Sequence, residues 1–401
     1  MVSSGWTLSQ HVINYRTIGW LTRERRGIIN TFGVFQTYYE DQILSHESPS
    51  SIAWIGSVQA FLVMFIGVIT GPLFDAGYFY VLLPFGWFMV VFGYMMTSLS
   101  TQYYQIMLAQ GICVGIGAGC MFVPSVALLP QYFQKRRAFA NGIAASGSSI
   151  GGVVYPIIFY RLEQQAGFGW ATRALAFVCL ATCAVSVSVM RVRFPRKDKR
   201  SLLQLSAFKE MRFSLLCVAL FIGFLGFYNF LSYVQPWAIQ KGIASDNLAF
   251  YLLPMLNAAS TFGRIAPNFA ADHWGPFNVF VPAAGLTSLI AFCWIAVDST
   301  AGVIVLTLLY GFCSGGLVSL PPVVMTSITK DLGDLGTRLG MMFSVVSIAL
   351  LLGTPIGGAI LDSTGSYLGV QAISGSCLVS CAVLLLVNRI IGSGPKLLYK
   401  T

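Results

Sequence analysis

Eleven apolar stretches of about the length of a bilayer crossing recur along this 401-residue chain, at 52–72, 80–99, 104–129, 138–160, 170–191, 213–235, 248–270, 278–297, 301–327, 335–361 and 367–391. A helix needs about 20 apolar residues to cross the hydrocarbon core. Only 9% of the residues are charged and the mean hydropathy is +0.74, whereas a soluble domain carries about 25% charge. The pattern therefore predicts an all-α integral membrane protein. An earlier run, Gly27 to Tyr39 (GIINTFGVFQTYY), is uncharged but only 13 residues long. It predicts a twelfth helix, span 1, that is short or incomplete.

Orientation follows from the cations. Lys and Arg stay on the cytoplasmic side of a bilayer. With both termini cytoplasmic, Arg161, Arg173 and Lys241 are the only 3 of 24 cations that fall outside. The net charge of +10 is thus explained by topology, and nucleic acid is not an expected partner. No cleavable leader is expected from the basic N-terminal segment. The predicted organisation is a cytoplasmic segment at 1–26, a six-helix half at 27–191, a basic linker at 192–212, a second six-helix half at 213–391 and a tail at 392–401. Nine cysteines lie mostly inside apolar runs, and the histidines are His11, His46 and His273. No metal site or cofactor is expected from such spacing.

The two halves repeat. Asp75 corresponds to Asp272, 197 residues later; Gly142 to Gly340, at 198; Pro156 to Pro355, at 199; and Cys179 and Cys183 to Cys377 and Cys381, each at 198. An offset that spans an even number of helices makes the repeats parallel in topology. Within the first half the chain carries YFQKRRAFANGIAASGSSIGGVVYP (132–156), where three cations turn at once into a charge-free run of Gly, Ala and Ser. Small residues let helix backbones approach closely where lipid supplies no hydrophobic drive.

These features carry a resemblance. GPLFDAGYF (71–79), the 135–156 stretch and NAASTFGRIAPNFAADHWGPFNV (257–279) resemble motifs of the major facilitator superfamily, and within it the fungal form of the monocarboxylate-porter family. The likeness covers about residues 30 to 391. It implies twelve helices in two parallel-repeat halves, with a substrate held between the halves and no enzymatic chemistry. It also implies that Asp75 caps a neighbouring helix and gates the cytoplasmic side, with Arg136 and Arg137 as further gate residues. Three departures stand out; the first concerns the gate charge network, and the other two weigh against proton–lactate symport of the animal type. Tyr78, Phe79 and Tyr80 stand where the loop motif ends in basic residues. Ser260 stands where animal carriers have an Asp, and no Lys lies between Gly27 and Tyr39.

Arg264, in span 8, is the leading candidate for chemistry. A guanidinium within the bilayer costs at least about 2.5–3.5 kcal/mol, so it faces a cavity or a partner. It also forks onto carboxylates. Asn257, seven residues earlier, shares its helix face. Tyr228 and Asn229 in span 7 are candidate hydrogen-bonding groups, while Tyr233 and Gln235 read better as interhelical or interfacial. Gln36 and Ser125 enter because spans 1 and 4 line the cavity in the superfamily. No Asp or Glu falls in the middle of a span, which argues against antiport of cationic drugs.

The expected function is a secondary-active transporter moving a small organic acid or related metabolite by alternating access. Its expected partners are the lipid bilayer and a small organic anion, with proton coupling as the family implies, in the plasma membrane. The alternatives are efflux of a fungal secondary metabolite and, from another class, a non-transporting sensor or incomplete carrier.

Overall fold

The computed structural model describes residues 32–36, 38–133, 135–192 and 204–394. The segment 1–26, residues 193–203 of the linker and residues 395–401 of the tail lie outside the described residues. Among the described residues all regular structure is helical.

Among the described residues nine helices qualify by length and hydropathy as bilayer crossings. One of them, Arg137–Val189, holds two spans, because Gly167 breaks it with φ 77°. Span 8 (Asp246–Trp274) is long enough but carries a polar face. Span 1 is described from residue 32 and ends in the π-helical turn Tyr39–Ile43. The chain thus has twelve spans in the expected order. Most run past their predicted ends: span 7 is Met211–Gln240 and span 11 is Leu335–Thr364. Sequence boundaries stopped at polar residues, but backbone hydrogen bonding continues into the interface, where water and headgroups solvate those side chains.

The repeat is written in the turns. Gly77 (φ 93°) ends the loop after span 2 and Gly275 (φ 91°) the loop after span 8; Gly167 (φ 77°) and Gly365 (φ 63°) turn the chain after spans 5 and 11. Each pair is separated by 198 residues. Positive φ strains any residue with a Cβ, so glycine recurs where the same turn recurs.

The chain forms two compact units. The first comprises residues 1–134, 143–203 and 331–347; the second comprises 135–142, 204–330 and 348–401. In the first, span 2 (Pro49–Phe65, continued by Gly67–Asp75) lies along span 4 (Tyr103–Tyr132) over a row of glycines. A Cβ at Gly111, Gly115 or Gly119 would meet the carbonyl oxygens of Ile55, Gln59 and Leu62 at 3.4, 3.3 and 2.9 Å. An aromatic cluster of Phe35, Tyr39, Tyr94, Phe159 and Phe168 fills the same unit. Phe35 and Phe159 lie 4.3 Å apart, and Tyr38 stacks on Phe168 at 4.9 Å.

In the second unit, span 10 (Thr300–Ser319, then Pro321–Ile328) packs against span 8 by the same device. A Cβ at Gly315 would lie 2.6 Å from the Gly263 carbonyl carbon and 2.9 Å from the Arg264 amide. Tyr310 stacks on Phe230 at 3.9 Å and donates to the Phe227 carbonyl at 3.0 Å. On the outside of both units large apolar side chains stand uncovered, Phe88 and Phe262 among them, at 62% and 68% exposure. Lipid covers such faces, so interhelical fit rather than the hydrophobic effect holds the helices to one another.

Candidate functional site

Span 8 organises the site in the second unit. Asn257, Ser260, Arg264, Asn268 and Asp272 follow one another at three- and four-residue steps, so they lie on one face of the helix. The first four are buried, Arg264 at 5% exposure. Arg264 sits ten residues before the end of its helix, about 15 Å at 1.5 Å per residue. That is deeper than the sequence boundary at 270 implied. Its Nε donates to Ser260 Oγ at 3.2 Å. The position that departs from the carboxylate of animal carriers therefore supplies a neutral acceptor to the same guanidinium. Asn257 donates to its own helix, at Leu253 O, 3.0 Å away.

Span 7 places its candidates differently. Asn229 is buried and lies against Gly357 of span 11; its Nδ2 reaches Leu225 O at 3.4 Å, and its Oδ1 has no partner. Tyr228 is half-buried, its ring edge on Phe227. Tyr233 donates to Thr354 O at 2.8 Å and Gln235 to Ala249 O at 2.7 Å, so both tie helices together. In the first unit, Gln36 donates to Glu40 Oε1 at 2.9 Å, one turn along its own helix. Ser125 is fully buried and donates to Met121 O at 2.8 Å. The structure thus brings Asn257 and Arg264 onto one face, turns Asn229 to span 11, and engages Gln36 and Ser125 within their own spans.

The gate residues form two related caps. In the first unit, both Asp75 oxygens receive the start of span 11: Gly336 N at 3.2 Å, Thr337 N at 2.7 Å and Thr337 Oγ1 at 2.8 Å. In the second, Asp272 receives the start of span 5, Ala138 N at 2.9 Å and Phe139 N at 2.8 Å. The first N–H groups of a helix lack intrahelical acceptors, and a carboxylate satisfies them with charge as well as geometry. Lys135 and Arg136 are exposed at the start of span 5, and Arg137 is half-buried. The amides beside these cations go to Asp272, and the hydrogen bonds of Asp75 go to span 11. Asp272 and Thr337 were absent from the expected site residues. The 197-residue repeat of Asp75 was the signal that could have found Asp272.

Two further buried amides escaped the sequence reading. Gln110 lies on a π-helical stretch of span 4, Met107–Val114, and its Oε1 accepts from Tyr39 Oη at 2.5 Å. Gln59 on span 2 is fully buried with neither amide atom partnered. Only their lack of charge set them apart from Arg264 in an apolar run.

Comparison with known proteins agrees with this architecture. The family model described as Major Facilitator Superfamily matches residues 28–330. An MFS-type transporter of Emericella nidulans is 46% identical over 84% of this chain and 76% of its own length. The aspyridones efflux protein of the same species is 40% identical over 89% and 73%. The agnestins efflux protein of Paecilomyces divaricatus is 38% identical over 91% and 84%. Among solved structures, the human organic anion transporter superposes with a TM-score of 0.73 at 16% identity, covering 94% of this chain and 98% of that one. The Escherichia coli fucose:proton symporter gives 0.72 at 16%, covering 94% and 99%, and at such identities the fold alone is shared. Two six-span repeats, a capping carboxylate at the corresponding end of each and this match over most of the chain have one meaning: the chain is a transporter, not an enzyme, and belongs to the Major Facilitator Superfamily.

Proposed function

We propose that this transporter exports a secondary metabolite carrying an anionic group, by alternating access, with Arg264 as the charge that receives it. The carrying observation is the buried guanidinium on the polar face of span 8, ten residues inside its helix. Desolvated guanidinium binds carboxylate or enolate strongly and bidentately. The efflux names of two relatives favour export over uptake of a small monocarboxylate. The monocarboxylate-porter branch is the finer family reading. It rests on the 135–156 stretch and on Arg264, and it concerns ancestry more than cargo.

In this reading Asn257 and Tyr228 complete the contacts to the substrate, with Asn229, Gln36 and Ser125 as further lining groups. Asp75 and Asp272 hold the helix ends that must part when the cytoplasmic side opens, next to Arg136 and Arg137. The protein sits in the plasma membrane with both termini in the cytoplasm. Protons are the coupling ion to test first.

Counterflow in proteoliposomes tests this, with a panel of monocarboxylates, riboflavin and aromatic polyketide acids, with and without a pH gradient. Saturable flux of an acid in the wild type, lost in Arg264→Gln, is the expected result. Equal flux in both proteins would make Arg264 structural and the cargo neutral.

A further inference from the structure

Span 10 breaks between Ser319 and Pro321. Pro321 and Pro322 have no N–H, and the Val323 amide turns to Leu320 O at 2.9 Å. The Ser319 carbonyl therefore loses its ordinary helical donor. Asn141, on the start of span 5, supplies one: its Nδ2 reaches Ser319 O at 2.5 Å. Asn268 of span 8 takes the other half of the same residue, donating to Ser319 Oγ at 2.6 Å and to Arg264 O at 2.7 Å. Ser319 Oγ in turn donates to Gly315 O at 2.8 Å. All of these residues belong to the second unit, and Asn141, Asn268 and Ser319 are buried at 7%, 0% and 1% exposure.

The repeat provides an internal control. At the Asp75–Asp272 offset, Arg264 and Asn268 correspond to Gly67 and Gly71; at the Gly142–Gly340 offset, Asn141 corresponds to Leu339. In the first unit those glycines lie directly on span 11. A Cβ at Gly67 would stand 3.5 Å from Gly340 Cα, and one at Gly71 2.8 Å from the Gly336 carbonyl carbon. The same helix crossing is made there with no amide side chain: glycine backbones meet, and Ser344 Oγ donates to Phe65 O at 3.3 Å. The fold does not require the asparagines, so their presence in one repeat alone calls for another role.

We propose that Asn268, clasped to Ser319 and through it to Asn141, is a positioning residue that fixes the Arg264 turn of span 8 and makes spans 8 and 10 and the start of span 5 a single latch. The proposal rests on the transporter reading for its purpose: the latch parts once in each cycle, and the turn that carries the substrate charge is the turn that holds it shut. The first unit closes by backbone contact under Asp75. The second keeps such a contact, Gly142 against the Arg264 carbonyl, and adds hydrogen bonds that a shift at Arg264 can break. The two ends of the repeat are therefore unequal, and the Asn-bearing one responds to cargo.

The test is hydrogen exchange, followed by mass spectrometry, on the intact chain in micelles. Wild type is compared with Asn268→Ala, Asn141→Leu (the residue of the other repeat) and the double variant. Each single variant is expected to speed exchange in 136–142 and 320–328 by about tenfold or more, the factor that one lost buried hydrogen bond produces. Exchange in 211–240 and 368–393 should not change. The double variant should exceed the larger single effect by less than the product, because both asparagines act through Ser319. Should either variant fold poorly, Ser319→Ala removes one hydroxyl and is expected to accelerate the same two segments. Unchanged exchange in 136–142 would overturn the proposal. So would acceleration spread evenly over the unit, which marks general loosening. Flux that survives Arg264→Gln while the exchange pattern holds would instead remove Arg264 as the substrate charge and leave the latch standing.

Discussion

Removing the Asp75 carboxylate should free the start of span 11 without unfolding the first unit. Asp75 accepts three hydrogen bonds, two from backbone amides and one from Thr337 Oγ1. Replacing a capping Asp by Ala costs about 0.5–2 kcal/mol. Loss of the charge at a helix N-terminus adds about 0.3–1 kcal/mol, more in partly buried geometry. Asp75 is half-buried and its partners belong to another span, so the upper part of both ranges applies, and Asp75→Ala is expected to cost about 2–3 kcal/mol. The opening equilibrium of the capped turn then rises roughly 30- to 150-fold. Asp75→Asn keeps a carbonyl acceptor but loses the charge, and should cost about 1 kcal/mol. Thr337→Val removes only the hydroxyl bond, also about 1 kcal/mol. Amide exchange at Gly336 and Thr337 measures all three directly. An Asp75→Ala protein whose Gly336 and Thr337 amides exchange less than threefold faster than wild type would refute the cap as a source of closure. Exchange in Asp75→Asn equal to wild type would refute its electrostatic part.

Gln59→Met should raise thermal stability in micelles by about 1–2 kcal/mol, since the amide has no partner to lose and its burial cost disappears; a fall would show that Gln59 is engaged through water. Gly315→Val should cost at least about 3 kcal/mol or abolish folding, because the new side chain meets span 8 backbone that cannot rotate away; a well-folded Gly315→Val with unchanged melting would disprove the close crossing. Gly167→Ala should cost about 1–2 kcal/mol through its positive φ alone, since no atom lies within 4 Å of the added Cβ; calorimetry showing no loss would mean the turn adopts another conformation. Tyr39→Phe should cost about 1–3 kcal/mol by leaving Gln110 Oε1 without its donor, and an unchanged melting point would count against that bond.

What the sequence exposed was set by the bilayer. Hydrocarbon admits only helices and closed barrels, so apolar runs of helix-crossing length counted the spans, and the 198-residue offset of Gly142 and Gly340 marked the repeat. The same physics hid the site. A charge in an apolar run is conspicuous, which is why Arg264 and Asp75 stood out. A neutral amide is less so, and Asn268, Asn141, Gln59 and Gln110 were not among the expected site residues. Ser125 entered only by analogy. It sits in a span that lines the cavity in the superfamily, yet its hydroxyl is satisfied four residues back on its own helix. Whether a small polar residue looks inward or outward depends on helix rotation, which lipid-exposed and protein-exposed apolar positions do not distinguish in sequence.

The departures between repeats say more about mechanism than their agreements. Agreement at Asp75 and Asp272, and at the Gly77 and Gly275 turns, is what duplication of a stable six-helix unit would leave in place. Divergence at the crossing that carries Arg264 bears on what each copy does there. Span 2 carries Gly67 and Gly71 where span 8 carries Arg264 and Asn268. Glycine there lets backbones touch with no side chain to respond to a ligand. Arginine and asparagine keep the contact but make it depend on charge. A carrier with two glycine crossings would close without sensing cargo, and one with two polar crossings would face two desolvation costs in each cycle. In the proposed reading one of each suffices, because the anionic group is received by the span 8 crossing alone.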